Sequence, residues 1–173
     1  MHPLSQFKYC PKCGSDHFVE NNFKSKRCEK CGFIYYFNPS SSNIALIMNE
    51  KKELLVATRA HDPAKGTLDL PGGFVDMNET GEEAVIREVK EETNLNVTDT
   101  KYLFSIPNTY IYSGFEVHTL DLVYLCNVNN IEEMKAEDDV SNLQFIKISD
   151  LKPDLFGLIS VKEVIKKIQK MKI

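Results

Sequence analysis

The chain has no tryptophan, no internal repeat, no low-complexity tract and no run approaching the ~18 uninterrupted apolar residues of a membrane helix. The last absence excludes a helical membrane span from expectation. The opening stretch, MHPLSQFKYC, also lacks the basic-then-apolar order of a secretory signal, so a cytoplasmic protein with no membrane partner is expected. Positive charge is not in excess either: 21 Lys and Arg stand against 25 Asp and Glu, a net charge of -4. That balance gives no reason to expect a general nucleic-acid binder. What is present is globular in kind. The 173 residues are 42% hydrophobic and 27% charged, enough for one core of ordinary size and a small appendage.

The appendage is marked by cysteine. Cys10-Pro-Lys-Cys13-Gly and Cys28-Glu-Lys-Cys31-Gly are two CxxC pairs separated by 14 residues. In a reducing compartment such pairs are read as ligands rather than disulfides, and four thiolates satisfy tetrahedral zinc. Gly14 and Gly32 follow the pairs and let the backbone turn toward the sulfurs. A redox dithiol is the rival reading, and two matched pairs favour structural zinc. Too few apolar residues lie between the pairs to build a core, so the metal is expected to hold the segment together. Residues 1–38 are assigned to this ribbon and 39–173 to a second domain, with Pro39 and three serines as the linker. Cys126, in the apolar run LDLVYLCNV, reads as a core cysteine.

The second domain is organised around Leu70–Leu95, LPGGFVDMNETGEEAVIREVKEETNL. Thr80 and Glu83 form a capping box that starts a helix near Gly81, and Asn94 tolerates the left-handed stop. Glu82, Val85, Ile86, Val89 and Thr93 recur at helical spacing and are expected to face a core. Glu88, Glu91 and Glu92 stand at i, i+3 and i+4, so three carboxylates converge. A solvated acidic face is the ordinary reading of such a run. Beside a buried stripe, however, the charges call for a cation: Arg87 reaching back to Glu79, and a hard divalent ion on oxygen ligands.

Gly73, five residues, Glu79, seven residues, then Arg87-Glu88-Val89-Lys90-Glu91-Glu92-Thr93-Asn94-Leu95 resembles the Nudix box of the Nudix hydrolases over 23 residues. It departs once, Asn94 standing where that pattern has glycine. The resemblance implies an α/β fold, the Nudix α/β/α sandwich with a mixed sheet, preceded here by the small zinc ribbon. It implies hydrolysis of a pyrophosphate linkage in a nucleoside diphosphate joined to another moiety, of the NADH, ADP-ribose or FAD type. The cofactor implied is Mg²⁺ or Mn²⁺ held by Glu88, Glu91, Glu92 and the carbonyl of Gly73, with Arg87 and Glu79 as a supporting ion pair. Relatives take their general base from a box glutamate or a later acidic loop; here the loop is 132–139, and Asp139 resembles that position best.

A zinc ribbon before the box resembles the NADH pyrophosphatase branch and also zinc-ribbon relatives that cleave ADP-ribose or FAD; the tryptophan-containing array specific to NADH is absent, and FSIPNTYIYSGF stands in its place. Arg59 is a candidate for a substrate phosphate, and Tyr110 and Tyr112 for stacking on a ring. Two alternatives stay open: release of pyrophosphate from nucleoside triphosphates, and a non-catalytic module that senses nucleotides or binds RNA or protein. The expected partner is a small nucleotide, with a nucleotide-capped RNA end and a homodimer as further possibilities.

Elsewhere, NIALIMNE and ELLVATR are expected to pair as a hairpin turning at 49–52. Strands are expected at 96–106, 115–127 and LQFIKIS, and a last amphipathic helix at VKEVIKKIQKMK.

Overall fold

A computed structural model describes residues 2–171. Its backbone separates into two compact units, one ending at Pro39 and the other starting at Ser40. The first unit carries strands β1 (Phe18–Asn22), β2 (Ser25–Cys28) and β3 (Ile34–Tyr36), paired antiparallel in the order β1-β2-β3. Its apolar cluster is small: Cys10, Phe18 and Cys28, flanked by Cys31 and Phe33. Three of those five residues are cysteines, so this core is largely the cysteine cluster itself.

In the second unit, β4 (Ser40–Ile47), β5 (Glu53–Arg59), β6 (Leu68–Asp69) and helix α1 (Gly81–Thr93) come first. The long strands β7 (Asn96–Tyr112) and β8 (Phe115–Asn129), then β9 (Val140–Lys147) and helix α2 (Ile159–Ile168), complete it. One sheet runs β4-β8-β7, with β4 parallel and β7 antiparallel to β8; the other runs β6-β5-β9, antiparallel throughout. The alternation of strand side chains divides the core into two layers. Ile44 and Leu46 of β4, Leu54 and Val56 of β5 and Val123 of β8 pack with Val161, Val164 and Ile165 of α2. Their neighbours Ala45, Ile47, Leu55, Tyr124 and Cys126 pack with Val85 and Val89 of α1. Sheets between two helices are the three-layer arrangement and mixed pairing that the resemblance implied.

Two local expectations are corrected. The turn at 49–52 forms, with Lys52 N–H donating to the Asn49 carbonyl at 2.9 Å. Yet β4 and β5 part after the Met48–Leu54 bridge, because β4 finds eight partners on β8 instead. The face of α1 is also rotated from the expected stripe: Ala84, Val85, Val89, Glu92 and Thr93 are buried, whereas Ile86 is 41% exposed and Glu82 faces out. Packing of the helix on β4 and β7 therefore draws one of the three glutamates onto the buried stripe. The last helix ends at Ile168; the final residue of the expected segment, Lys172, lies outside the described residues.

Candidate active site

The capping box at Thr80 and Glu83 is present in both directions, and Asn94 closes α1 at φ 59°. Between β6 and that helix the chain turns through Gly72 and Gly73. A Cβ on Gly72 would lie 2.2 Å from the Asn43 carbonyl oxygen, and one on Gly73 would lie 2.5 Å from Glu88 Oε1. Only glycine lets this loop lie against β4 and against Glu88 at once. The Gly73 carbonyl, expected as a cation ligand, instead accepts the Asn43 backbone N–H at 2.8 Å and Asn43 Nδ2 at 3.2 Å. Both of its lone pairs are engaged, so a ligand role would require the Asn43 amide to turn away.

The acids differ in surroundings. Glu92 is 8% exposed and accepts the Gly72 N–H at 3.0 Å. Burial pushes its carboxyl up to about 8; the Gly72 N–H opposes this, and the charges of Glu88, Asp69 and Asp139 add to it. Glu88 is also raised, first by burial, with Arg87 working against the shift. Glu91 is half exposed. Arg87 bridges them: Nη1 lies 2.8 Å from Glu88 Oε1 and 3.0 Å from Glu91 Oε2. Its Nε and Nη2 each donate to a different oxygen of Glu79 at 2.9 Å, and Nη2 also donates to the Phe74 carbonyl at 3.0 Å. This fork holds the Glu79 carboxyl down at about 2, the Arg87 hydrogen bonds first and the Asp76 N–H second.

Glu92 forms part of the wall of a cavity of ≈ 850 Å³, counting its open mouth, which Gly72, Arg59, Tyr110 and Asp139 also line. Arg59, expected to meet phosphate, is committed within the protein: Nε donates to the Pro63 carbonyl at 2.7 Å and Nη1 to Asp69 at 2.5 Å. Tyr110 is half-buried in the wall, whereas Tyr112 stands outside it, 56% exposed near the end of β7. Asp139 is exposed at the rim, 3.7 Å from His61 Nε2, and its carbonyl accepts the Ala60 N–H at 2.8 Å.

A family model for the NUDIX domain matches residues 38–166. The chain belongs to the Nudix family. Among relatives of the Nudix chain, the ADP-ribose pyrophosphatase of Methanocaldococcus jannaschii is 36% identical over 120 residues, 67% of this chain and 66% of that protein. The NAD-capped RNA hydrolase NudC of Vibrio parahaemolyticus is 26% identical over 152 residues, 88% of this chain and 55% of that protein. The chain thus spans between about half and two thirds of the length of these curated relatives. In structure it resembles a Nudix hydrolase from Nitrosomonas europaea, with a TM-score of 0.74 at 18% identity over 95% of this chain and 92% of that one.

Beyond the Nudix box, the cavity wall holds residues the sequence reading missed: Asp69, Asp121, Asn43 and Asn108, all buried. A faint signal existed in TLDLVYLC, where Thr119 and Asp121 occupy the same alternate positions as Val123 and Leu125. In the first unit the four thiols come together. Sγ of Cys10 lies 3.7 Å from that of Cys31, and Sγ of Cys13 lies 3.7 Å from that of Cys28, with all four within 4.8 Å. A disulfide needs ~2.05 Å; the edge of a tetrahedron with Zn–S bonds of ~2.3 Å is about 3.8 Å. The cluster therefore fits a tetrahedral metal. No helix among the described residues is long and apolar enough to cross a membrane.

Proposed function

We propose that this Nudix chain hydrolyses the pyrophosphate linkage of a nucleoside diphosphate joined to a second moiety, using Mg²⁺ or Mn²⁺ held by Glu88, Glu91 and Glu92. One observation carries the reading: Glu92 is buried in the cavity wall, next to other carboxylates, with a single backbone N–H on it. Buried charge of that kind is stable only when paired, and the donor set is all oxygen, as a hard cation requires. The ligand oxygens need not be drawn together as the thiols are, since Mg²⁺ usually takes one or two carboxylates and completes its shell with water and phosphate oxygens. When bound, such an ion neutralises diphosphate charge and acidifies water.

The protein's own groups do the rest. Arg87, fixed by Glu79 and the Phe74 carbonyl, holds Glu88 and Glu91 in place. Asp139, exposed at the rim, accepts the proton of the attacking water, and the phosphoanhydride P–O bond breaks to leave two monophosphates, or a monophosphate and a phosphosugar. The four cysteines hold a structural Zn²⁺. Two of the relatives are named for ADP-ribose and NAD-capped RNA, so ADP-ribose, NADH, FAD and an NAD-capped RNA end are the substrates to try.

The test is product analysis with Mn²⁺ or Mg²⁺. AMP released from ADP-ribose, NADH or FAD supports the reading, and pyrophosphate from deoxynucleoside triphosphates would replace it with the triphosphatase alternative. Glu91→Gln and Glu92→Gln should each lower kcat by at least about a hundredfold with an unchanged circular dichroism spectrum. Near-normal turnover in both would remove the cation role.

A further inference from the structure

The cavity wall contains a feature that metal-assisted hydrolysis does not use. On the α2 side of the β4-β8-β7 sheet, the register places Ser42 beside Asp121, Ser40 beside Thr119, and Asn108 beside Thr119. Continuing along the same alternate positions, β4 goes from Ser42 to Ile44 and β8 from Asp121 to Val123, and there the apolar core begins. One sheet face thus changes from polar to apolar partway along adjacent strands. On β7 and β8 the polar part is buried, Asn108 being 4% exposed, Thr119 4% and Asp121 5%, while Ser42 is half-buried and Ser40 exposed at the start of β4.

Burying such groups is unfavourable unless each finds a partner. Ser42 Oγ and Thr119 Oγ1 both donate to the same atom, Asp121 Oδ1, which fixes the carboxylate and leaves Oδ2 for another donor. Asn108 Oδ1, in the same cavity wall, has no hydrogen-bond partner among the described residues, and neither has Asn43 Oδ1. Buried acceptors without partners are rare in native proteins and mark a ligand or ordered water. Asp69 is different, being paired with Arg59 and with the Leu70 N–H. The acceptors left open on this face are Asp121 Oδ2 and Asn108 Oδ1; Asn43 stands at an intervening position of β4, in step with Ala45 and Ile47 on the α1 side, where its Nδ2 donates to the Gly73 carbonyl.

We propose that Asp121, with Asn108, forms the subsite that selects the substrate, by accepting hydrogen bonds from a donor-rich group on its nucleoside moiety. An exocyclic amine and a ribose diol both present that chemistry. A phosphate does not, since it offers only acceptors and negative charge at neutral pH. The nucleoside consequently lies inward against β7 and β8, and its phosphates point toward Gly72 and Glu92. This inference rests on the pyrophosphatase reading for what occupies the Glu92 end of the cavity.

The test is calorimetric titration of the whole chain with AMP, IMP and 2′-deoxy-AMP in the presence of Mg²⁺, none of which contains a scissile pyrophosphate. Asp121→Asn should weaken AMP binding about tenfold or more, the loss expected for a hydrogen bond to a charged group. Asn108→Ala should weaken it too, because it removes an acceptor that bonds nothing else among the described residues. Weaker binding of IMP than of AMP identifies the amine as the recognised group, and weaker binding of 2′-deoxy-AMP identifies the diol. Equal affinity for all three nucleotides, wild-type affinity in a folded Asp121→Asn, or no AMP binding by the wild type would each overturn the proposal.

Cleavage of ADP-ribose is measured separately on the same preparations. Asp121-dependent AMP binding without cleavage of any pyrophosphate sinks the enzymatic reading and leaves the subsite standing. Cleavage by Asp121→Asn at the wild-type kcat/KM does the reverse.

Discussion

Arg87 donates to four groups: Glu79, Glu88, Glu91 and the Phe74 carbonyl. Its loss would leave Glu88 and Glu79 without their cation, and Arg87→Ala should destabilise the protein by about 2–3 kcal/mol, read from the urea midpoint at unchanged slope. The two acids on either side of this network respond to pH in opposite senses. Glu79 has its carboxyl held down at about 2, so its contribution is present above the unfolded value near ~4.3 and disappears as pH falls toward 2. Glu79→Gln should therefore flatten the acid limb of the stability profile. Glu92 has its carboxyl raised to about 8, so without metal it opposes folding increasingly as pH rises from ~4.3 to about 8. Metal-free Glu92→Gln should equal the wild type in stability near pH 4 and exceed it above pH 8, by an amount on the order of 5 kcal/mol. The glutamates and cysteines were legible in the sequence because their spacing is local. Asp121 and Asn108 were not, since their meaning comes from a register between strands, and the aromatic character that made Tyr110 and Tyr112 both stacking candidates carries no information about where the cavity ends.

At the level of elements, α1 was readable to the residue because both of its ends are fixed by neighbours in sequence. Asn94 does more than tolerate its φ of 59°: its backbone carbonyl and Oδ1 accept Lys90 Nζ at 2.9 and 2.8 Å, and its Nδ2 donates to the Glu133 carbonyl at 3.2 Å. Asn94→Gly, which restores the family pattern, should change stability by less than about 1 kcal/mol, since relief of backbone strain offsets the lost contacts. Asn94→Val should cost more than that, because a β-branched residue fits the left-handed region poorly; thermal midpoints of the two variants check the order. The hairpin expected from β4 and β5 failed for a non-local reason. The turn chemistry was right, but Ser42 pairs with Asp121, far along the chain, and no local pattern announces that choice. The rotation of α1 was likewise decided by the strands beneath it rather than by its own periodicity.

For the whole molecule, the three-layer arrangement was legible because the chain alternates strand patterns with two amphipathic helices and carries the Nudix box between them. The division at Pro39 has a consequence for unfolding. The first unit's small core is mostly cysteine, whereas the second has two extensive apolar layers. Chelation should therefore abolish the amide-exchange protection of residues 10–36 and leave that of β4, β8 and α1 in place; simultaneous loss of both would show a single cooperative unit.

Glu92 lies on the same helical stripe as Val85 and Val89, so the acid proposed to grip the catalytic ion also takes part in seating α1. Uptake of the ion and durability of the fold are then reciprocal. Manganese should raise the melting temperature of the wild type in proportion to the logarithm of its concentration, and should do so far less for Glu92→Gln. A cell short of that cation would hold a protein that is slower and shorter-lived at once, so that scarcity thins the pool of enzyme as well as idling it.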